Sequence, residues 1–232
     1  VRRRPGMYIG GTDETAMHHL VNEVFDNAMD EAVAGFASTI QMEMKKDNVI
    51  VIRDNGRGIP IDPHPKFPKK SALEVILTML HSGGKFGGKV YETSGGLHGV
   101  GISVVNALAD YLEVEDVRDK IIYRQSYSRG EPTSKLQKAG QDPKGKGTTI
   151  AFRPDEKIFG KAKFKPASLY KLARSKAYLF RGVKIQWKCD PSLLNSDEIP
   201  AEDTIHFPGG LQDFLKQQLE GRPLVTSEPF FG

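Results

Sequence analysis

At 232 residues with 38% hydrophobic side chains, the chain can bury a sizeable core as one large domain or two small ones, and nothing in its composition marks disorder. A single cysteine, Cys189, excludes an internal disulfide, and no apolar run reaches the length of a membrane span or follows Val1-Arg2-Arg3-Arg4 as a signal-peptide core, so a soluble cytoplasmic protein is expected. The net charge of +4 and pI near 9.0 permit contact with nucleic acid, but the charges are interspersed except around Lys144, Lys146, Lys157, Lys161, Lys163 and Lys165, and a solvated mixed surface is favoured over direct DNA binding.

Gly6 to Gly11 is a turn-rich opening. Apolar residues at Leu20, Val21, Val24, Phe25, Ala28, Met29, Ala32 and Val33 then recur at helical spacing, and Gly35 closes that helix. Residues 40–44 alternate as a strand, Asp47-Asn48 turns the chain, and residues 49–52 return to form a hairpin. Residues 60–68 are expected as a proline-punctuated loop. A helix capped by Ser71, with Glu74 three residues on, should run to about His81. Residues 82–101 are too rich in glycine for regular structure and read as a lid. A buried helix is expected over 102–108, strands over 111–117, 121–128 and 148–152, a helix over 169–180, a strand over 183–188 and a last helix over 211–219. No internal repeat is present. Hairpin-like strands with helices between them predict an α+β sandwich, helices over one face of a mixed sheet, and not a doubly wound parallel fold.

The first helix carries an unusual non-core face of Asn22, Glu23, Asp26, Asn27, Asp30 and Glu31. Glu23 and Asn27 are four apart and project side by side. That spacing suits a carboxylate that activates water beside an amide oxygen that ligates Mg²⁺. A plain solvated face is the ordinary reading of such a stripe. His19, one turn nearer the N-terminus and able to share a proton with Glu23, shifts the balance toward chemistry.

Asp54-Asn55-Gly56-Arg57-Gly58-Ile59-Pro60 leaves a strand directly. Its glycines let a flat ligand approach the backbone, and Asp54 can accept from an exocyclic amine such as the six-amino group of adenine, where guanine presents an acceptor. The alternative is a simple Asp-Asn-Gly turn. Two glycine clusters follow, at 83–88 and 95–101. The second runs into the 102–108 helix, so its backbone N–H groups would form an anion site, with Lys85 adding charge. Gly83 to Lys89 spells G-x-x-x-x-G-K, yet Val90 stands where a P-loop needs Ser or Thr, and no strand precedes it.

Taken in order, Glu23 with Asn27, Asp54 with Gly56 and Gly58, the run from Gly95 to Gly101, and Gly147-Thr148 resemble the GHKL ATPases, a superfamily of gyrase B subunits, chaperone ATPases, histidine kinases and mismatch-repair ATPases. Longer strings, Arg4 to Gly10, Asp26 to Ala32, Ser94 to Gly101 and Ser103 to Leu108, resemble the B subunits of bacterial type II topoisomerases over nearly the whole chain. Pro154 to Gly160 and His64 to Pro68 are similar to the topoisomerase IV type more than to gyrase. Asn55 departs from the second Asp common in the motif, which leaves Asp54, the position the family uses for adenine, intact.

The resemblance implies an ATP- and Mg²⁺-dependent ATPase of the GHKL sandwich fold over residues 1–220, with a mostly antiparallel sheet and a glycine-rich ATP lid. Residues 221–232 would begin the connection to a transducer domain. Glu23 would be the general base, supported by His19, Asn27 the Mg²⁺ ligand and Asp54 the adenine acceptor, with Thr148 assisting through a bridging water. Gly56, Arg57, Gly58, Ile59 and Pro60 would wall the adenine end and Arg124 its outer rim, where aminocoumarin inhibitors of the family reach. Lys85, Tyr91, Gly96, Leu97, His98, Gly99, Val100 and Gly101 would hold the ribose and phosphates. Glu31 is expected to pair with Arg57.

The partners implied are a topoisomerase A subunit and DNA, with two B subunits dimerising as the lid closes on ATP. The missing initiator methionine and the ending at Pro229 to Gly232 read as the bounds of a piece cut from a longer chain. That piece is expected to be a monomer that binds ATP and turns it over slowly or not at all. Rival readings are a non-hydrolysing nucleotide module of the histidine-kinase kind, a mismatch-repair or chaperone ATPase, and a DNA-binding domain working through its lysines.

Overall fold

The computed structural model describes residues 1–80, 101–195 and 198–222. A single turn of helix, α1 (Gly6–Ile9), stops at Gly10 in the left-handed region. The long helix α2 (Glu14–Val33) begins where the Asp13 side chain accepts the Ala16 N–H at 2.8 Å. Its periodic apolar residues from Ala16 to Met29 are buried, and Gly35, at φ 79, lies just beyond the cap residue Ala34, close to the expected stop. Strands β1 (Thr39–Lys45) and β2 (Val49–Asp54) pair antiparallel as predicted. Asp47 and Asn48 between them both take positive φ, the turn that matches strand twist.

The expected loop before Ser71 contains a small hairpin of β3 (Pro63–His64) and β4 (Phe67–Ser71). A two-stranded ribbon tolerates the prolines that a central strand would not. Ser71 caps α3 (Ala72–Thr78) by accepting the Glu74 N–H at 3.1 Å, and that helix stops short of the predicted end near His81. Helix α4 (Gly101–Leu108) runs directly into β5 (Ala109–Arg118), followed by β6 (Ile121–Ser128), β7 (Glu131–Pro132), β8 (Gln137–Gln141) and β9 (Gly147–Pro154). Then come α5 (Glu156–Phe159), α6 (Pro166–Leu179), β10 (Lys184–Cys189), β11 (Glu202–His206) and α7 (Leu211–Leu219). Strands β7, β8 and β11 went unread in the sequence because short and mostly exposed segments carry little alternation for a period to detect.

The large sheet has the order β11-β10-β1-β2-β9-β5-β6-β7, with β8 also on β6. β1 pairs with β10 in parallel, and the other neighbours in that sheet are antiparallel, which is the mixed, mostly antiparallel arrangement predicted. One face is apolar across the strands: Trp187 lies opposite Met42, Met42 opposite Ile52, Ile52 opposite Ile150, and Ile150 opposite Val114. All five are buried. Helix α2 packs on β1, β2 and β9, α4 on β5, β6 and β9, and α6 on β10 and β11, so the helices cover this face. Two residues further along three adjacent strands the inward positions turn polar. They are Asp54 on β2, Thr148 on β9 and Asp116 on β5, all buried.

The basic stretch noted in the sequence is tied down locally, Lys165 to Glu14 at 2.7 Å and Lys146 to the Phe36 carbonyl at 3.2 Å. No described helix is long and apolar enough to cross a membrane.

An ionic clasp on the buried Asp155 carboxylate fastens the N-terminal segment. Asp155 Oδ2 lies 2.6 Å from Arg2 Nη2 and 2.7 Å from Arg129 Nε, and Oδ1 accepts the Lys157 N–H at 3.0 Å. Burial alone would raise this carboxyl, but the Arg129, Lys157 and Arg2 donors outweigh it and hold it at about 2, below its ordinary 3.8. A depressed folded value means stabilisation that is present above the unfolded pKa and lost as pH falls toward 2. Asp155→Asn should therefore destabilise the fold by about 1 kcal/mol at neutral pH, the arginine partners being screened by solvent. Urea melts of both proteins should show that gap narrowing near pH ~3; equal stabilities at neutral pH would contradict the assignment.

Candidate active site

Asp54 ends β2, is 8% exposed, and accepts the Gly56 N–H at 2.8 Å. Gly56 leaves room for both acids, since a Cβ there would lie 2.7 Å from Asp54 Oδ1 and 2.8 Å from Glu31 Oε2 and push the carboxylates aside. Gly147 is obligatory: its φ is 102, and a Cβ would collide with the Asp54 carbonyl, so β9 approaches β2 only because that position is bare. Burial pushes the Asp54 carboxyl up to about 6; the Gly56 and Thr148 N–H groups oppose the rise, and the Glu31 and Asp116 charges add to it.

Asn55 explains its own departure from the pattern. Its Oδ1 accepts the N–H groups of Ser38 at 2.8 Å and Thr39 at 3.0 Å, while Nδ2 donates to Ser38 Oγ at 3.0 Å. An ionised Asp would lack that donor. Arg57 is locked to Glu31 as predicted: Nη2 to Oε1 at 2.7 Å, Nε to Oε2 at 3.1 Å and its backbone N–H to Oε2 at 3.0 Å. Its guanidinium carbon also sits 3.7 Å from the Phe36 ring centre. Burial would raise the Glu31 carboxyl, but the Arg57 bonds and charge bring it below its ordinary value.

The turn continues onto a residue the sequence reading missed. Asp116 Oδ1 accepts the Ile59 N–H at 2.8 Å and the Thr148 hydroxyl at 3.2 Å. Asp116 is fully buried, and burial pushes its carboxyl up to about 6 against the Ile59, Thr148 and Arg118 interactions. A signal for it was present in the alternation Leu112, Val114, Asp116, whose first two members are core. Pro60 follows Ile59, both half-buried.

Helix α2 meets this turn through Glu31. Asn27 and Glu23 lie one and two turns back along the same stripe, so Glu23 stands about 12 Å from Glu31 along the axis. Glu23 is half-buried, Asn27 exposed, and His19, one further turn back, exposed. Gly101 opens α4, which packs against α2. Lys85, Tyr91, Gly96, Leu97, His98, Gly99 and Val100, with the rest of the expected lid up to Gly101, lie outside the described residues.

Arg124 stands apart from this group. It pairs with Glu115 in the β5–β6 register, which places it on the sheet face opposite Asp116 and Thr148, where Nη2 lies 2.6 Å from Glu115 Oε2. Arg118 shares the face of Asp116, two residues further on, and the Asp116 carboxylate feels its charge. Of the two arginines it is thus Arg118, not Arg124, that shares a face with Asp116 and Thr148. Among the described residues no group of three or more His, Cys, Asp or Glu is placed to hold a metal by itself.

Residues 12–158 match the family described as histidine kinase-, DNA gyrase B-, and HSP90-like ATPases. The whole chain is 59% identical to the B subunit of DNA topoisomerase 4 from Caulobacter vibrioides, covering 33% of that protein. It is 57% identical to the corresponding protein of Bartonella bacilliformis, again over the whole chain and 34% of the relative. The B subunit of DNA gyrase from Thermotoga maritima is 46% identical over 96% of the chain and 34% of that protein. The chain thus spans about a third of the length of these relatives. In three dimensions it is similar to the crystal structure of the 43K ATPase domain of Thermus thermophilus gyrase B in complex with an aminocoumarin, with a TM-score of 0.84 and 39% identity over 99% of this chain and 57% of that one.

The two raised carboxylates have a stability consequence. Their folded pKa values of about 6 exceed the ordinary 3.8, so folding takes up protons between those values, and the contribution of these groups to stability falls as pH rises through that window. Without ligand, Asp54→Asn should stabilise the fold by about 1–3 kcal/mol at slightly alkaline pH. Thermal melts should show the gain shrinking toward pH ~5, and a destabilised variant at alkaline pH would count against the buried charge.

Proposed function

The chain belongs to the histidine kinase-, DNA gyrase B-, and HSP90-like ATPases, and from that premise we propose that it is the ATP-binding and ATP-hydrolysing domain of a topoisomerase IV B subunit, which drives DNA strand passage in the full enzyme. The observation that carries the reading is the junction of the Asp54–Thr148 pair with the α2 stripe through Glu31 and Arg57. A purine held at Asp54 has Asn27 and Glu23 within the reach of its phosphates. The higher identity to the topoisomerase 4 proteins supports that type. A gyrase B subunit is the second reading, favoured by the structural likeness to the gyrase domain.

In this reading Asp54 accepts from the six-amino group, Thr148 assists, and Gly56 to Pro60 wall the base, with Arg57 held flat by Glu31 and Phe36. Arg118 replaces Arg124 at the outer rim. The phosphates lie toward the start of α4 at Gly101, where the first-turn N–H groups of a helix suit anions. Lys85, Tyr91 and residues 96–100 would hold the ribose and phosphates. The exposed neutral amide of Asn27 fits Mg²⁺, an ion that takes most of its oxygens from phosphates and water. When bound, that ion would neutralise phosphate charge. Glu23 removes the proton from the water that attacks the γ-phosphate, and His19 would share that proton. ATP-linked pairing of two B subunits, and work with an A subunit and DNA in the cytoplasm, belong to the same proposal for the full-length protein.

In the full-length protein, Glu23→Ala should lower ATP hydrolysis by about 100-fold or more while calorimetry finds ATP affinity little changed. Hydrolysis at the wild-type rate in that variant would remove Glu23 from the role of base.

A further inference from the structure

Behind the base-recognition turn, Asp116 is an unusual group for the inward face of a sheet. Its Oδ1 serves two donors, the Ile59 N–H and the Thr148 hydroxyl, while its Oδ2 is buried and has no hydrogen-bond partner among the described residues. A hydroxyl has one proton. Thr148 gives that proton to Asp116 at 3.2 Å, and its backbone N–H is engaged with Asp54. Toward anything else Thr148 therefore has only lone pairs to present. Ionised Asp54 beside it is likewise an acceptor without a proton.

We propose that Asp116 is a specificity-determining positioning residue of the nucleotide site: by holding the Thr148 hydroxyl turned into the sheet, it makes that edge of the pocket accept-only and so excludes purines with a carbonyl at the six-position. This rests on the ATP reading given above. A six-amino group supplies donors to Asp54 and Thr148, directly or through one water. A six-carbonyl meets lone pairs from both; the N1–H beside it can serve only one of these acceptors, and the carbonyl oxygen is left without a donor, a penalty larger than that of a missing contact. The same carboxylate fixes the wall of the pocket. Gly58 permits it to come so near, since a Cβ there would lie 2.7 Å from Asp116 Oδ1. Removing the carboxylate would free the Thr148 hydroxyl to rotate and donate to the incoming carbonyl.

The test is calorimetric titration of this chain with ATP and with inosine triphosphate, which replaces the six-amino group by a carbonyl. Wild type should bind ATP selectively. Asp116→Val should lower the ATP-to-inosine preference by about tenfold, whereas Asp116→Asn, which keeps an acceptor oxygen for Thr148, should retain most of it. Thr148→Val should lower the preference similarly, and adding Asp116→Val to it should change little more, because Asp116 acts through that hydroxyl. A merely structural Asp116 would weaken both nucleotides in parallel, and an unchanged ratio in folded Asp116→Val overturns the inference. Should that variant fail to fold, an unchanged ratio in Thr148→Val overturns it instead. Failure of the wild type to bind ATP at all would strike the site reading first, and is distinguishable from selective binding that ignores Asp116.

Discussion

The insertion of β9 between β2 and β5, in one register, is the constraint on which the site depends. It places Thr148 between Asp54 and Asp116 on the inward face, and it is possible only because Gly147 has no side chain to collide with the Asp54 carbonyl. A slip of one residue would turn Thr148 to the far side of the sheet and bring Thr149 inward. The apolar positions that precede the polar ones, Ile52, Ile150 and Val114, resist that slip because they would leave the core together.

That arrangement joins stability to function in opposite senses. Burying two carboxylates is unfavourable to the fold, and burial pushes both of them upward. Each is kept by backbone N–H donors from the glycine turn, Gly56 for Asp54 and Ile59 for Asp116. The turn is thus shaped by the acids it satisfies. The core built by α2, α4 and the sheet supplies the surplus that lets such acids remain buried. Asp155 shows the contrasting case, an acid with two arginine partners that stabilises the fold.

Helix α2 sets the distance between the Asp54 turn and Glu23. Its buried side is committed to the core from Ala16 to Met29, which leaves Glu23, Asn27 and Glu31 as successive turns of one stripe outside the core, half-buried at Glu23 and Glu31. Glu31 is anchored by three bonds to Arg57, so the spacing from the Asp54 turn to Glu23 is set by helical rise and not by loop flexibility.

Local signals determined much of this in advance. The period of α2, the Asp47-Asn48 hairpin, the Ser71 cap and the glycine turn after Asp54 all follow from contacts or dihedrals within a short span. Tertiary structure alone decided the parallel pairing of β1 with β10, the place of β9, the inward turn of Asp116 and which of Arg118 and Arg124 shares its face. Those outcomes depend on which distant strands meet and in what register. The period of a strand is two, so a single residue of offset reverses every side chain, and no local propensity carries that information.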